Sequence, residues 1–359
     1  MELKQVFGMR LRQSREASGL SLRGLEKRMG TIVSYAQLSK YENGLDIPSS
    51  GVLVALCNAL SCSPDALFRP VRVDVGAIEF RKKTRLSKTG EKAVKAVVQG
   101  GVDRYFELEE LVGVVPKPLS PTPKAVHAPQ DAEKVAAGVR KAWGLGDNPI
   151  SNVVELLEES HVKVQQIDAD ERFDGCSGWG SAGEARFPVV VLSARLNDDL
   201  TRKRFTASHE LGHLLMDVSS LPQKDAEMTC HRFAGAFLLP QDAAFSQVGK
   251  HRNRIEWKEL AVLKQEYGIS MAASLYRLHD LGVISDSTYK SMNIQRNMKG
   301  WHAQEPYPYE GSERCFRFSQ LLYRGLAEGK ISLSKAAELA DTTVERLQAE
   351  LSTEGGENA

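Results

Sequence analysis

The sequence predicts an α+β fold that is mainly α-helical, and three observations lead to this prediction. Short amphipathic helical segments fill the first seventy residues. Runs rich in β-branched and apolar residues at 161–167 and 188–193 are typical of strands. Helical patterns dominate the rest of the chain, so a small sheet is expected within a largely helical protein.

Five short helices are predicted before residue 70. The first lies around Arg10, and Ser21, Ser34 and Ser63 are favourable N-caps for three of the others. Gly44 is suited to end the helix that Ser34 begins. The helices expected after the first cover 21–29, 34–44, 52–60 and 63–68.

This helical rhythm, with Leu-Ser at 20–21 and Glu-Asn-Gly at 42–44, resembles the XRE (lambda-repressor-like) DNA-binding domain over residues 1–70, the head. The resemblance implies that the helix beginning at Ser34 lies in the major groove of double-stranded DNA, and that a homodimer binds a palindromic operator. Six residues are expected to contact DNA, the first four through bases and the last two through phosphates: Ser34, Tyr35, Ala36, Lys40, Gln37 and Asn43. Leu22 departs from the resemblance, since many members of that family have Gln there, and one polar contact at the start of the second helix is lost.

The charge distribution favours DNA as the partner of the head. Residues 1–95 contain 17 Lys and Arg against 9 Asp and Glu, a net charge of +8, whereas the whole chain carries +1. A basic head on an acidic remainder is typical of a phosphate-binding domain joined to another module. The alternative is a small helical module that binds protein.

A second motif, His-Glu-Leu-Gly-His at 209–213, indicates metal chemistry. The apolar residues around it and the absence of Pro predict a helix. Residues four apart share one face of a helix, so His209 and His213 can bind one Zn²⁺. Glu210 can then reach a water on the metal without being a ligand. The alternative is a chance pattern on an ordinary core helix.

A catalytic zinc needs a third protein ligand and keeps one position for water. A third His six residues after His213 is excluded, because Ser219 occupies that position. The best candidate is Glu227, in the first turn of a second predicted helix that Pro240 ends. The other candidates are Asp217, Cys230 and His231.

Together with Arg-Phe-Thr-Ala-Ser at 204–208, Phe-Ala at 233–234 and Leu-Leu-Pro at 238–240, these residues resemble the ImmA/IrrE metallopeptidase family. The resemblance implies a zincin-like fold, Zn²⁺ bound by His209, His213 and Glu227, and Glu210 as general base. It also implies that the substrate is an XRE-type repressor. His231 departs from the family, which usually has Asn at that position.

The segments around these modules have their own patterns. A helix is predicted over 87–111, with Glu107, Glu109 and Glu110 exposed, and Phe-Arg-Lys-Lys at 80–83 resembles the connector of longer proteins that join the two families. Four prolines within 116–123 predict an extended spacer. Glycines are expected to mark turns between the two strands at 175, 178, 180 and 183. Further helices are expected at 131–143, 150–160, 269–284, 316–329 and 333–351.

The predicted fold is therefore α+β and mainly α, in four parts. These are a helix-turn-helix domain (1–70), a helical connector with a Pro-rich linker (71–128), a zincin-like metallopeptidase domain (129–295) and a C-terminal helical region (296–359). With 42% apolar and 26% charged residues, the composition is typical of globular domains. No apolar run approaches the length of a membrane span, and five Cys form no Cys-x-x-Cys pair. We expect a cytoplasmic protein with reduced thiols and no membrane partner.

These patterns predict a DNA-binding transcriptional regulator with a built-in zinc endopeptidase. The resemblance to ImmA/IrrE peptidases implies that it cleaves a repressor-type protein, a partner or itself, in a stress or mobile-element response. We expect conditional cleavage, since constant cleavage would abolish its own repression. The alternative is an autoregulating repressor or antitoxin, with a toxin as partner, whose zinc domain is a non-proteolytic sensor or docking module. Five residues remain as unranked candidates for stabilising the oxyanion: Tyr267, Tyr276, Arg277, His231 and His279.

Overall fold

The computed structural model describes residues 2–77 and 87–353, and these are mainly helical with a few short strands, which confirms the predicted fold class. The chain divides into two compact units. Unit 1 comprises Met1–Lys117, Gly180–Phe187 and Phe316–Ala359, and unit 2 comprises Pro118–Trp179 and Pro188–Cys315. The predicted connector motif at 80–83 lies outside the described residues.

Within the described residues, most of the strands lie in the middle of the chain, with helices on either side. The helices are α1 (Leu3–Ala17), α2 (Leu22–Arg28), α3 (Tyr35–Glu42), α4 (Ser50–Leu60), α5 (Pro64–Phe68), α6 (Lys88–Val112), α7 (Asp131–Ala142), α8 (Val153–Glu159), α9 (Leu200–Leu215), α10 (Gln223–Leu238), α11 (Gln241–Val248), α12 (Trp257–Tyr267), α13 (Met271–Asp280), α14 (Asp286–Met298), α15 (Arg317–Ala327), α16 (Leu333–Leu339) and α17 (Val344–Thr353). The strands are β1 (Asp74–Ala77), β2 (Lys124–Ala125), β3 (Lys163–Ile167), β4 (Gly175–Ala182), β5 (Ala185–Ser193) and β6 (Met216–Asp217), and a 3₁₀ helix spans Ala194–Asp198.

The head consists of α1 to α5 around its own apolar core. The hydroxyl oxygens of Ser21 and Ser34 accept the backbone N–H groups of Gly24 and Gln37, so these residues cap α2 and α3 as predicted. Gly8 lets α1 pack directly on α3, because a Cβ there would lie 2.5 Å from the Tyr41 carbonyl oxygen. The contact with Gly8 fixes the C-terminal end of α3 on α1, while the residues at its N-terminal end, 34–36, are exposed.

Helix α6 joins the head to the C-terminal helices within unit 1. Arg10 of the head forms a buried ion pair of 2.6 Å with Asp103. Glu107 and Glu109 are only 6% and 4% exposed, so their predicted exposure was wrong. The reason is long-range packing: Lys335 of α16 lies 2.7 Å from Glu107, and α15 to α17 pack on this end of α6. The single helix expected at 333–351 is two helices, α16 and α17, with left-handed backbone at Asp341 between them.

The sheet of unit 2 has β5 between β4 and β3, and β3 pairs with β5 in parallel. Strand β4 was not predicted, because its glycines indicated turns. Gly175 instead permits close packing, since a Cβ there would lie 2.8 Å from the Val191 carbonyl oxygen of β5. Among the described residues, the sheet and helices α7 to α13 share the largest apolar core, in which α9 and α10 pack against each other.

Helix α9 is fixed in unit 2 by a buried arginine. The Arg204 guanidinium pairs with the Glu313 carboxylate, and both side chains are inaccessible to solvent. Glu313 also accepts the backbone N–H groups of Val153 and Val154 at the start of α8, at 3.1 and 2.9 Å. Because Glu313 belongs to the irregular segment 299–315, which we name the strap, this segment links α8 to α9.

Candidate metal centre and DNA-binding surface

Helices α9 and α10 bring three candidate ligands together. His209 and His213 lie one turn apart on α9, and their Nε2 atoms are 3.1 Å apart. The Glu227 carboxylate of α10 lies 3.5 Å from Nε2 of His209 and 3.8 Å from Nε2 of His213. All three donor atoms lie within 4.8 Å of one another, and the residues are buried or half-buried.

This arrangement fits a zinc ion. In a tetrahedral site with bonds of about 2.0–2.1 Å, neighbouring ligand atoms are about 3.3 Å apart. The three separations of 3.1, 3.5 and 3.8 Å bracket that value. Two imidazoles and one carboxylate are also a common zinc ligand set, with a fourth position for water.

Two further side chains contact this cluster: Ser177, which sequence reasoning did not name, and Cys230, which it named as a candidate ligand. The Ser177 hydroxyl of β4 donates a hydrogen bond of 2.7 Å to Oε2 of Glu210, and both residues are buried. The Cys230 sulfur lies 3.2 Å from Nδ1 of His213, the ring nitrogen that faces away from the cluster. Burial, and then the negative charge of Glu210, raises the pKa of the neighbouring Cys176 well above its usual range. Ser177 was hidden in a glycine-rich segment, so no local sequence signal could have found it.

The other three candidate ligands do not join the group formed by His209, His213 and Glu227. Cys230 contacts the far side of the His213 ring, and His231 is exposed. Asp217 lies in β6, where its carboxylate accepts the Ser219 backbone N–H. Among the described residues, none of the three belongs to the group of mutually close donor atoms.

For four of the five candidate oxyanion donors, the contacts or burial observed involve residues outside the three-ligand group. The Arg277 guanidinium is bound by the Glu133 carboxylate and the Leu239 carbonyl, and Tyr267 is buried. On α13, Tyr276 and His279 both pack against the Tyr289 ring. The fifth, His231, lies beside His209, with ring centroids 4.5 Å apart.

The six residues expected to contact DNA lie on or next to α3. Five are exposed, and Gln37 is half-buried, with its side-chain amide donating a 2.7 Å hydrogen bond to Asp46. Hydrogen bonds from the Ile47 backbone N–H and from Gln37 lower the pKa of Asp46. The Asn43 amide donates to the Ser39 carbonyl at 2.8 Å. The exposed residues of this surface are Ser34, Tyr35, Ala36, Lys40 and Asn43.

Comparison with known families agrees with both resemblances. Residues 6–69 match the family described as a helix-turn-helix domain, and residues 162–279 match the family described as an IrrE N-terminal-like domain. Among curated proteins, none matches this sequence. Within the described residues, no helix is both long and apolar enough to cross a membrane. The chain is therefore a fusion of an XRE-like, DNA-binding helix-turn-helix domain with an ImmA/IrrE-type metallopeptidase-like domain.

Proposed function

We propose that this protein is a DNA-binding regulator whose ImmA/IrrE-type domain is a zinc-dependent endopeptidase acting on a repressor-type protein, either a partner or another copy. The observation that carries the proposal is the grouping of His209, His213 and Glu227 next to a held glutamate, Glu210. A purely structural zinc site has four protein ligands and needs no neighbouring general base. Three ligands with a neighbouring carboxylate favour a catalytic centre.

In this mechanism His209, His213 and Glu227 would hold a zinc ion. When bound there, zinc would supply a Lewis acid that lowers the pKa of water and polarises a carbonyl group. The Glu210 carboxylate takes the proton of the attacking water and then gives it to the nitrogen of the leaving amine. The Ser177 hydroxyl fixes the Glu210 carboxylate by holding its Oε2 atom, which limits the rotation of the base.

The head supplies the second half of the proposed function. Its exposed residues Tyr35 and Lys40 lie along α3, the helix that occupies the recognition position in helix-turn-helix proteins. We assign base contacts to Ser34, Tyr35, Ala36 and Lys40, and phosphate contacts to Gln37 and Asn43. The Gln37 side chain must then release Asp46 or bridge to phosphate through water, because its amide is bound to that carboxylate.

The test uses zinc-loaded full-length protein and a proteome-derived peptide library, with Glu210→Gln as the matched control. We expect about one zinc per chain in both proteins. Hydrolysis is expected in the wild type alone, because the variant retains the ligands but lacks the base. Equal zinc content with no hydrolysis in either protein would instead support the alternative, a regulator or antitoxin whose metal domain is a non-proteolytic sensor.

A further inference from the structure

His231 is an exposed residue whose ring contacts one of the three proposed ligands, His209. On α10 it follows Glu227 by one helical turn, so both residues share a face of the helix. Its ring lies 4.5 Å from the His209 ring, with the planes at 41°. The Phe205 ring stacks on His231 at 5.8 Å and 24°. The imidazole is therefore held in contact with two rings of α9.

The exposure of His231 separates it from the ligands. His209, His213 and Glu227 are buried or half-buried, whereas His231 is exposed. Its ring nitrogens are also not among the three mutually close donor atoms found in the described residues. His231 therefore presents a solvent-accessible imidazole beside a proposed ligand without belonging to the ligand group.

Peptide hydrolysis needs a donor for the negative charge that develops on the carbonyl oxygen. Among the five candidate donors, His231 is the one whose ring contacts a proposed ligand, His209, whereas Arg277 pairs with Glu133, and Tyr276 and His279 pack against Tyr289. We propose that His231 donates a ring N–H to the scissile carbonyl oxygen of the bound peptide. This inference rests on the proposed peptidase function.

The step balances without an additional reactant. The water oxygen forms a bond to the carbonyl carbon, and the electron pair of the C=O π bond moves to the oxygen that His231 contacts. The electron pair on that oxygen then re-forms the C=O bond, the C–N bond breaks with its electron pair passing to nitrogen, and Glu210 gives the proton it took from water to that nitrogen. His231 keeps its own proton throughout, so its role is a hydrogen bond that strengthens as the charge develops.

Three variants of the full-length, zinc-loaded protein test the assignment, on the library peptide that the wild type cleaves best. His231→Phe keeps an aromatic ring between Phe205 and His209 but removes the donor. His231→Asn restores an N–H donor without an imidazole. His302→Phe changes another exposed histidine, outside the cluster, and serves as the control. If His231→Phe does not fold, His231→Ala takes its place.

We expect His231→Phe to lower kcat by about 10²–10³-fold, as for the loss of one oxyanion donor, with zinc content unchanged and KM within about threefold. His231→Asn should recover at least about tenfold of that loss, and His302→Phe should match the wild type. Loss of zinc in His231→Phe would make His231 a ligand and overturn the proposal. An unchanged kcat, or an increase in KM alone, would overturn it while the peptidase function stands. If the wild type cleaves no more than Glu210→Gln, the proposed function fails, and this assignment fails with it.

Discussion

The buried ion pair between Arg204 and Glu313 gives a prediction about stability that can be worked through in detail. Both side chains are fully buried, and Arg204 also donates to the carbonyl oxygens of Ile150 and Tyr267, at 2.5 and 3.2 Å. Replacing Arg204 with Met leaves the Glu313 carboxylate without its counter-charge. Breaking a buried pair in this way costs about 3–5 kcal/mol. At about 2–4 °C per kcal/mol for a unit of this size, Tm should fall by roughly 10 °C.

The pH dependence of this loss follows from the pKa of Glu313. Burial raises that pKa, and the pairing with Arg204 and the N–H groups of Val153 and Val154 only partly oppose it. Because the pKa of Glu313 is higher in the folded than in the unfolded chain, protonated Glu313 adds to the free energy of unfolding. This contribution is fully present below the unfolded-state pKa and is lost as pH rises through the folded-state pKa. Removing Arg204 raises the pKa further, so the variant should be more destabilised at pH 7.5 than at pH 5.

A double-mutant cycle with Glu313→Gln isolates the pair from the other contacts of Arg204. We expect a coupling of about 2 kcal/mol between the two single changes, measured by thermal or urea unfolding at both pH values. Arg204→Met should therefore lower the free energy of unfolding less in the Glu313→Gln background than in the wild type. Additive effects of the two changes, or an equal loss at pH 5 and pH 7.5, would refute the reasoning.

Three further predictions concern the metal and DNA. His209→Ala and His213→Ala should each abolish zinc binding, measured by metal analysis of the purified protein, and full zinc occupancy in the double variant would contradict the assignment. Cys230→Ala should weaken zinc affinity by about 10–100-fold in a competition titration, because it removes the sulfur beside Nδ1 of His213. The control is Cys57→Ala, which removes a buried thiol of the head. If Cys57→Ala and Cys230→Ala weaken zinc affinity equally, Cys230 has no specific role in zinc binding. The full-length protein should bind its own promoter with an affinity that falls steeply with salt, and Lys40→Ala should reduce discrimination between operator and random DNA. If Lys40→Ala and the wild type discriminate equally between operator and random DNA, the base contact assigned to Lys40 is refuted.

The sequence predicted those features that depend on short windows. The N-caps Ser21 and Ser34 and the histidines at 209 and 213 depend on spacings of three or four residues, which fix geometry on a helix whatever surrounds it. Glu227 was predicted at the start of α10, but its approach to the histidines depends on how α9 and α10 pack. Sequence reasoning could therefore name the three side chains but not the distances between them.

Other features depend on partners that are distant in sequence, and these were not predicted. Glu107 carries a charge on a helix and would normally be exposed, yet Lys335, more than two hundred residues away, lies against it. Strand β4 has a glycine-rich sequence that favours turns, and its pairing is decided by β5. Ser177 was missed with it, because only the folded sheet brings its hydroxyl to Glu210.

The metal cluster is also supported by residues outside the matched family region, 162–279, because the strap lies beyond that region and contacts the helices around the cluster. Two glutamates of the strap each accept the first backbone N–H groups of a helix: Glu305 at α13 and Glu313 at α8. Each also neutralises a buried cation, Lys264 and Arg204 respectively. Since Arg204 lies on α9, five residues before His209, the strap fixes the helix that carries both histidines. A fragment that ends at residue 279 would leave Arg204 without its carboxylate, and we expect it to lose the helix packing on which the three-ligand geometry depends.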